Sequence, residues 1–485
     1  MHPHLSVLPL VLLGLSACDG CRAAPGAEDS VPSSRWDPAH TVVLITIDSL
    51  NSHMLLESEW GGSVAPTLEG LFDESVRLDN VLTTQGTTRP ALGSLITGLY
   101  PEEHGARTNY TDLRNGTTIL KQFHDAGYTT FGLSSNQCPL LVEDEMDLRF
   151  CSWNNELKDE SLTLVQRDER LIEDLTAALH QLPADEDLFV WLHLNNVHTP
   201  YSANVEDVDI LHPEAYLGDL DPSSDDAVTR VTLGLRDYSE ADRHYLEAVY
   251  AAQIRVTDAH IAEVFDALEL IERWDDAVVV VGADHGEELA ERGDIKYFWH
   301  GCSPYSTVLR VVYSIRAPGR LEGGQVLDAW VSITDIAPTI VELASASAWS
   351  GELSGVSLVD YMLGDAAPER SIFASRARAT AVMVKDDQKY IYNSTPNFDG
   401  CLPYSSYDGF YYPGKFEELY DLSLDPDEVY NLLEDDPVAA VEPRTELCEW
   451  FTAVGWHVEG AIESEALHEM CQNWLCSIDS EYCQL

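Results

Sequence analysis

Residues 41–48, TVVLITID, place an acidic side chain directly after seven apolar or β-branched residues. Two other stretches have the same character, LFVWLHL at 188–194 and AVVVVGA at 277–283. Apolar runs of this length are typical of strands that are buried on both faces of a parallel sheet. Between them, residues 161–181 and 240–270 repeat apolar side chains at helical spacing. This alternation predicts a layered α/β domain.

Polar side chains follow each of the three predicted strands. Asp48 ends the first strand, the second runs on to His198, and Asp284 and His285 end the third. Ligands of open α/β sheets bind outside the carboxyl ends of the strands, so we expect these groups in one crevice. A single aspartate at such a position is commonly only a turn residue. Three strands with the same kind of ending predict a metal site.

The stretch TTQGTTRPALGSLITGLYP, residues 83–101, predicts a helix that begins close to Thr88. Pro90 suits the first turn because its φ is already helical, and Gly98 suits the helix exit. Thr88 therefore lies where unpaired backbone N–H groups and the helix dipole favour an anion. A helix cap alone would also explain a threonine there. The apolar face of this helix consists of Leu92, Leu95, Ile96 and Leu99.

The composition limits the class of protein. With 485 residues, 45% of them hydrophobic, the chain is long enough for one large domain or two ordinary ones. Its 28 basic and 83 acidic residues give a formal net charge of −55. We expect no nucleic-acid partner, because phosphate backbones bind to basic patches. The acidity favours a solvated surface suited to salty water.

The N-terminus resembles an export signal. Residues 5–15, LSVLPLVLLGL, form an apolar run too short to span a bilayer, and small residues and Cys18 follow it. We predict a signal peptide over 1–17 and, because LSAC resembles the bacterial lipobox, a lipidated Cys18 at the start of a lipid-anchored linker over 18–38. Ordinary signal cleavage nearby is the alternative. The predicted location is the bacterial cell envelope, where the lipid anchor would hold an exported lipoprotein to a membrane.

Cysteine usage agrees with export. Of ten cysteines, eight remain when Cys18 and Cys21 are set aside. An even number in an exported chain indicates disulfides, and four of the eight lie in a Cys-rich tail over 436–485. The sequence leaves their pairing open. No CxxC spacing among these eight indicates a thiolate zinc site.

Together these segments resemble the sulfatase branch of the alkaline phosphatase superfamily, from about residue 39 to about residue 435. Each motif alone is a modest signal, but their order and spacing are specific. The motifs are VVLITIDSL at 42–50, SLITGLYPEEHG at 94–105, AGYTTFG at 126–132, LHLNNVHTPY at 192–201, VGADHGEEL at 281–289, HG at 300–301, SITDIAPTIVELA at 332–344 and ELYDLSLDPDEVYNL at 418–432.

The resemblance implies an alkaline-phosphatase-like layered sandwich, in which helices flank a large, mostly parallel central sheet. A smaller C-terminal α+β subdomain is expected to pack on it. The sulfatase-like catalytic domain would span 39–365 and the C-terminal subdomain 366–435. Short strand signals such as TAVMVK and KYIYN lie within the latter, separated by turn-rich loops.

The resemblance also places a nucleophile, with a departure from the family pattern. True sulfatases carry Cys or Ser, any residue, Pro, any residue, Arg, and they convert the Cys or Ser to formylglycine. In this chain Thr88 takes the nucleophile position, Pro90 the proline and Leu92 the place of the arginine. Threonine is not expected to be converted, and the lysine of the next family motif is not evident. Thr88 resembles instead the phosphodiesterases, phosphonate hydrolases and phosphoalcohol transferases of the superfamily.

The predicted metal site holds one divalent cation through Asp48, Asp284, His285 and the Thr88 oxygen. Carboxylates with an imidazole and an alkoxide favour Zn or Mn. Ca remains open, although Ser49 replaces a second aspartate of the family and thins the oxygen shell.

Further polar residues complete the predicted site. His198 and His300 are candidates to protonate the leaving oxygen or to bind the substrate anion, with a structural role as the alternative. Arg89 and Lys296 are candidate substrate-binding cations, with ordinary surface cations as the alternative. His193 is explained by core or surface packing.

Three functions remain open at this stage. The first is a metal-dependent hydrolase of phosphate, phosphodiester or phosphonate esters, which uses Thr88 as nucleophile and takes an anionic ester as substrate. The second is a sulfate-ester hydrolase that works without formylglycine. The third is a catalytically silent, lipid-anchored binding protein. The sequence does not determine the oligomeric state.

Overall fold

The structure is a computed structural model. It describes residues 35–56, 63–136, 162–203, 205–211, 216–232, 236–291, 298–301, 303–376, 380–393, 417–454 and 470–476. The elements described below belong to one compact unit that begins at Trp36.

Fourteen strands form three sheets within these residues. They are β1 Thr41–Ile47, β2 Val76–Leu82, β3 Thr129–Ser134, β4 Leu188–Leu194, β5 Val278–Ala283, β6 Glu288–Leu289, β7 Phe298–Trp299, β8 Arg310–Arg316, β9 Gln325–Leu327, β10 Val331–Ser332, β11 Ile372–Arg376, β12 Thr380–Lys385, β13 Gln388–Asn393 and β14 Glu417–Asp421. The two short strands β6 and β7 pair only with each other.

The main sheet has eight strands in the order β10-β2-β8-β5-β1-β4-β3, with β9 paired to β2. All of its pairs are parallel except those of β8, which runs antiparallel to both β2 and β5. Strands β1, β4 and β5 are buried throughout, as expected for strands covered on both faces. The predicted large, mostly parallel central sheet flanked by helices is confirmed.

Thirteen α-helices are described, and most pack in two groups. One group consists of α2, α6, α7 and α9, and the other of α3, α4, α5, α11 and α12. No helix among the described residues combines the length and apolar character needed to cross a membrane. The helices are α1 Ser52–Leu56, α2 Pro66–Asp73, α3 Thr88–Thr97, α4 Pro101–His104, α5 Ile119–Asp125, α6 Leu164–Leu179, α7 Val205–Leu211, α8 Asp225–Thr232, α9 Glu240–Leu270, α10 Ser306–Leu309, α11 Ile336–Ala344, α12 Val359–Met362 and α13 Val441–Ala453.

A second sheet follows the main one in the sequence. Strands β11 to β14 form it in sequential, antiparallel order. Helix α13 packs on this sheet, and a disulfide joins Cys448 on α13 to Cys471. Both half-cystines are buried in one apolar cluster with Met383 and Tyr390 of the sheet. The smaller C-terminal subdomain is therefore an antiparallel sheet, and α13 and the disulfide-linked segment, both from the predicted Cys-rich tail, pack on it.

Candidate active site

The site is built at the carboxyl ends of three adjacent strands. In the sheet, β1 lies between β5 and β4, and Ile47 is in register with both Ala283 and Leu194. The first residue after β1 is Asp48, whose backbone N–H donates to the carbonyl of Leu194 at 2.9 Å. Parallel pairing thus brings the three polar strand ends to one edge, as the sequence predicts.

Asp48, Asp284 and His285 form a fully buried cluster. One donor atom from each of the three side chains lies within 4.8 Å of the others. Nε2 of His285 is 3.6 Å from Oδ1 of Asp48 and 3.5 Å from Oδ2 of Asp284. Each side chain is 0% exposed. Two carboxylates and an imidazole thus lie close together with their own atoms shielded from bulk water.

The backbone around the cluster fixes Asp284. Ser49 has a positive φ of 61°, an uncommon conformation for a residue with a side chain. Its backbone N–H donates to Oδ1 of Asp284 at 3.2 Å, and the N–H of His285 donates to the same oxygen at 2.8 Å. Only a glycine fits at the next position, 286, because a Cβ on Gly286 would lie 2.2 Å from the carbonyl oxygen of Thr307. Oδ1 of Asp284 is therefore held in place, and Oδ2 is left to face the cluster.

These residues fit a divalent cation. Oδ2 of Asp284 is buried and has no hydrogen-bond partner in the described part of the chain, which is costly for a carboxylate oxygen unless a cation is near. Donor atoms around a tetrahedral zinc ion at about 2.1 Å lie about 3.4 Å from one another, close to the separations of His285 from both carboxylates. A cation there would compensate the two buried carboxylates.

Proton affinities in the cluster agree with this fit. Burial and then the charge of Asp48 raise the pKa of Asp284 well above its ordinary value. Burial also acts to raise the pKa of Asp48, but the contact with His193 and the charges of three histidines hold it well below its ordinary range. Burial, followed by the charge of His300, lowers the pKa of His285 to about 3. The His285 imidazole is thus neutral at pH 7, the form that binds metals.

Thr88 reaches this cluster from the start of α3. The helix begins at Thr88 after the extended residue Thr87, and it ends at Gly98, whose φ of 67° is left-handed. Oγ1 of Thr88 lies 3.5 Å from Oδ2 of Asp48 and 3.5 Å from Nε2 of His285. The hydroxyl therefore stands beside the same two groups that face the cation site, at the end of a helix that favours anions.

Two further histidines line the crevice. The ring of His300 lies 4.5 Å from that of His285 and 4.9 Å from that of His198, measured between centroids. Nδ1 of His300 contacts both carboxylate oxygens of Glu287 at 3.2 and 3.3 Å. Nδ1 of His198 contacts the carbonyl of Thr199 at 2.5 Å. In both rings, Nδ1 is engaged by a protein group.

Proton affinities near His300 are also shifted. Burial, followed by the charge of His198, lowers the pKa of His300 to about 3. Burial raises the pKa of Glu287 to about 8, against the charge of His198. At pH 7, Glu287 thus keeps a proton that it can donate to Nδ1 of the neutral His300 ring.

Of the two predicted substrate-binding cations, only Arg89 lies among the described residues. Arg89, the second residue of α3, forms an ion pair with Asp112 at 3.1 Å, and its backbone N–H donates to Asn109. It lies at the same helix start as Thr88, and its role remains a prediction. Lys296 and Cys18 lie outside the described residues, as do the signal peptide and most of the linker.

Sequence reasoning missed two neighbours of Asp48. The sequence predicts only a packing role for His193, yet its Nε2 lies 3.6 Å from Oδ2 of Asp48. The side-chain amide of Asn136 donates to the same oxygen at 3.1 Å. Strand alternation places Thr46 and Asp48, two residues apart, on the same face of β1. In the sheet, His193 is in register with Thr46. The parallel register that brings these residues together is not visible in the sequence.

The fold and the site define a class: a layered α/β protein with an acidic cation site at the strand ends and a hydroxyl presented to it by a helix start. The chain belongs to the sulfatase family, since the family profile described as Sulfatase matches residues 40–346. The choline-sulfatase of Rhizobium meliloti (strain 1021) is 23% identical, with 90% of each chain covered. An uncharacterized sulfatase of Escherichia coli (strain K12) is 25% identical, with 78% of this chain and 80% of the relative covered.

Solved structures show the same fold. The phosphonate monoester hydrolase of Agrobacterium radiobacter superposes with a TM-score of 0.63 and 18% identity, covering 86% of this chain and 95% of that chain. The predicted alkaline-phosphatase-like fold is thereby confirmed. The protein is an ester hydrolase of the sulfate- and phosphate-ester class, so the silent binding protein is set aside. Enzymes of this family bind a divalent metal, and the Asp48, Asp284 and His285 cluster can hold one.

Proposed function

We propose that this hydrolase cleaves phosphate, phosphodiester or phosphonate esters with Thr88 as its nucleophile. The observation that carries the proposal is the position of the Thr88 hydroxyl, 3.5 Å from both Asp48 and His285. An unmodified hydroxyl cannot expel sulfate in the way that an aldehyde hydrate does. A hydroxyl is, however, a suitable nucleophile for phosphorus esters, because water can later displace it from phosphorus.

Asp48, Asp284, His285 and Thr88 would hold a single divalent cation. When bound, such a cation stabilises the alkoxide form of a hydroxyl and neutralises charge on phosphoryl oxygens. The donor set favours Zn or Mn over Ca, because it includes a neutral imidazole and because Ser49 supplies no second carboxylate. Ser49 instead donates its hydroxyl to Oδ1 of Asp48 at 3.0 Å.

The reaction is proposed to proceed in two displacements. Thr88 loses its hydroxyl proton to water, and Oγ1 attacks phosphorus in line with the leaving oxygen. The new bond joins Thr88 to phosphorus while the bond to the leaving oxygen breaks, and that oxygen takes up a proton from His198. In the second step the now neutral His198 takes a proton from the water molecule that attacks phosphorus, the bond from Thr88 to phosphorus breaks, and Oγ1 of Thr88 takes up a proton from water; the acid product is released and His198 is again protonated.

His198 and His300 would divide the remaining work. Glu287, protonated at pH 7, donates to Nδ1 of His300, so the Nε2–H of that neutral ring can donate to a substrate oxygen. The carbonyl of Thr199 accepts from Nδ1 of His198, so Nε2 of a protonated His198 ring is the atom that can deliver a proton. We therefore assign anion binding to His300 and protonation of the leaving oxygen to His198.

A second candidate function is hydrolysis of a sulfate ester with unmodified Thr88. It is favoured by the choline-sulfatase relative, which covers 90% of this chain. The phosphonate monoester hydrolase named among the solved structures lies in the first substrate class. The first candidate acts on esters of phosphorus and the second on esters of sulfur. Activity measured on both kinds of ester therefore distinguishes them.

We further propose that the protein is an exported lipoprotein held to the cell envelope through Cys18. The apolar run at 5–15 and the LSAC segment support this location, and so does the disulfide between Cys448 and Cys471, since such bonds persist in oxidising compartments. Metabolic labelling with a palmitate analogue should mark the wild type and not Cys18→Ala. Equal labelling of both would overturn the anchor.

The function is tested by turnover of the purified full-length protein on aryl phosphate, phosphodiester, phosphonate and sulfate esters, with Mn, Zn or Ca added. Thr88→Ala is the test variant. Thr87→Ala is its matched control, because it removes the neighbouring hydroxyl, which donates to Gln85 outside the cluster. We expect metal-dependent cleavage of a phosphorus ester that only Thr88→Ala abolishes. Cleavage of sulfate alone would support the second candidate instead.

A further inference from the structure

His193 is a buried histidine that the proposed reaction does not use. It lies on β4, directly in register with Thr46 of β1, and it is 1% exposed. Its Nε2 is turned toward the carboxylate of Asp48 and lies 3.6 Å from Oδ2. At 3.6 Å this contact is just longer than a hydrogen bond, and no other polar group among the described residues engages the nitrogen. A buried ring nitrogen directed at a carboxylate is not explained by packing alone.

The other ring nitrogen of His193 belongs to a chain of hydrogen bonds. The indole N–H of Trp191 donates to Oγ1 of Thr46 at 3.0 Å. Oγ1 of Thr46 lies 2.9 Å from Nδ1 of His193, and its other acceptor, the carbonyl of Leu192, is farther away at 3.5 Å. We take the threonine hydrogen to lie on the shorter contact, to Nδ1, which places the ring hydrogen on Nε2. In this series of hydrogen bonds Trp191 then donates to Thr46, Thr46 donates to His193, and the Nε2–H of His193 is directed toward Asp48.

We propose that His193 is a positioning residue for the metal-binding carboxylate of Asp48. Its Nε2–H faces Oδ2 of Asp48, and the amide of Asn136 donates to the same oxygen at 3.1 Å. Donors on a ligating carboxylate fix its orientation and raise the affinity of the site for its cation. The inference rests on the metal site of the proposed function. It adds Thr46 and His193 as the groups that orient Asp48.

The test measures metal binding rather than turnover. Mn²⁺ is titrated into the metal-free, full-length protein by calorimetry, and the bound Mn²⁺ is followed by electron paramagnetic resonance. We expect His193→Leu, which keeps the bulk and removes the N–H, to weaken Mn²⁺ binding about 10- to 100-fold. His193→Gln places a side-chain N–H at a similar reach and should recover part of that loss. His260→Leu, at a buried histidine on α9, is the matched control and should leave the affinity unchanged.

Thr46 provides an independent arm if His193→Leu does not fold. Thr46→Val keeps the shape and removes the hydroxyl, so it should weaken Mn²⁺ binding, whereas Thr46→Ser keeps the hydroxyl and should not. The double variant Thr46→Val/His193→Leu should lose little more Mn²⁺ affinity than His193→Leu alone, because both residues act through the same series of hydrogen bonds.

The outcomes separate the two proposals. Unchanged Mn²⁺ affinity in both Thr46→Val and His193→Leu, with only a lower melting temperature, would overturn the positioning role and leave the metal site intact. A wild type that binds neither Mn²⁺ nor Zn²⁺ would overturn the metal site and this inference together.

Discussion

Oγ1 of Thr88 and Nε2 of His285 lie 3.5 Å apart, although 197 positions separate the two residues in the sequence. Thr88 is placed by the first turn of α3, and His285 by the end of β5. Asp48, at the end of β1, is equally close to the hydroxyl. Three elements that are far apart in the chain therefore deliver a hydroxyl, an imidazole and a carboxylate to one point. This convergence is the basis for treating Thr88 as more than a helix residue.

His198 and His300 should respond differently to the leaving group. Because His198 is assigned to protonate the leaving oxygen, we expect His198→Ala to lose about 10²-fold or more in kcat on esters of poorly acidic alcohols. On nitrophenyl esters, whose leaving oxygen needs no proton, the same variant should change little. His300→Ala should lower kcat/KM by a similar factor for all leaving groups. Rates across a series of substituted phenyl esters measure this, and a uniform loss in His198→Ala would contradict the assignment.

Asp284→Asn should have opposite effects with and without metal. Without a cation, the variant removes one of two facing buried carboxylates, and it is burial, followed by the charge of Asp48, that raises the pKa of Asp284. We therefore expect a higher Tm than the wild type in the presence of EDTA at pH 8. With Mn²⁺ added, the variant should bind at least about 100-fold more weakly and gain less stability from the ion. A lower Tm in EDTA would show that Asp284 stabilises the fold without a cation.

The central strands and the cluster of Asp48, Asp284 and His285 at their ends could be predicted because their signals are local. Strand β1 is a continuous buried run with an aspartate at its end, and β4 and β5 repeat that pattern. Helix α3 was predictable from Pro90 and Gly98, which mark its first turn and its exit. In each case a short stretch of sequence carries the whole signal, so no knowledge of the distant chain is required.

Other features depend on pairing between distant segments. The sequence VRLDNVL of β2 has no continuous apolar run, and β8 runs antiparallel within a mostly parallel sheet. The contact of His193 with Asp48 arises from the register of β1 against β4. Glu287 could be located beside Asp284 and His285, but its partnership with His300 depends on how residues 298–301 return to the crevice. Such pairings are set by tertiary packing and leave no local pattern.

Glu291 should make the metal-free protein less stable as the pH rises. Burial, followed by the charge of Glu288, raises its pKa to about 8 from an ordinary value of 4.5. Between these two pH values the unfolded chain releases the proton and the folded protein retains it, so stability is greatest at low pH and declines toward pH 8. Glu291→Gln should remove this contribution while its amide oxygen still accepts from Asn51. Urea unfolding at several pH values measures the difference, and parallel profiles for both proteins would contradict it.

The disulfide between Cys448 and Cys471 should stabilise the fold without affecting the chemistry. It closes a loop with a sequence separation of 23 residues, for which chain entropy predicts about 3 kcal/mol. We expect the double variant Cys448→Ala/Cys471→Ala to lower the free energy of unfolding by that order while kcat stays within about twofold. Urea unfolding and steady-state kinetics on the same preparations test this. A large loss of kcat in a double variant that is still fully folded would contradict the prediction and show that α13 supports the active site.

The central claim is that Thr88 becomes covalently bound to phosphorus during turnover. The most direct measurement is peptide mass spectrometry of the enzyme quenched in acid while it turns over a phosphorus ester, with Thr87→Ala and Thr88→Ala treated in the same way. We predict a phosphoryl or phosphonyl adduct on Thr88 in the wild type and in Thr87→Ala, and none in Thr88→Ala. Turnover without an adduct on Thr88, or an adduct that persists in Thr88→Ala, would contradict the claim.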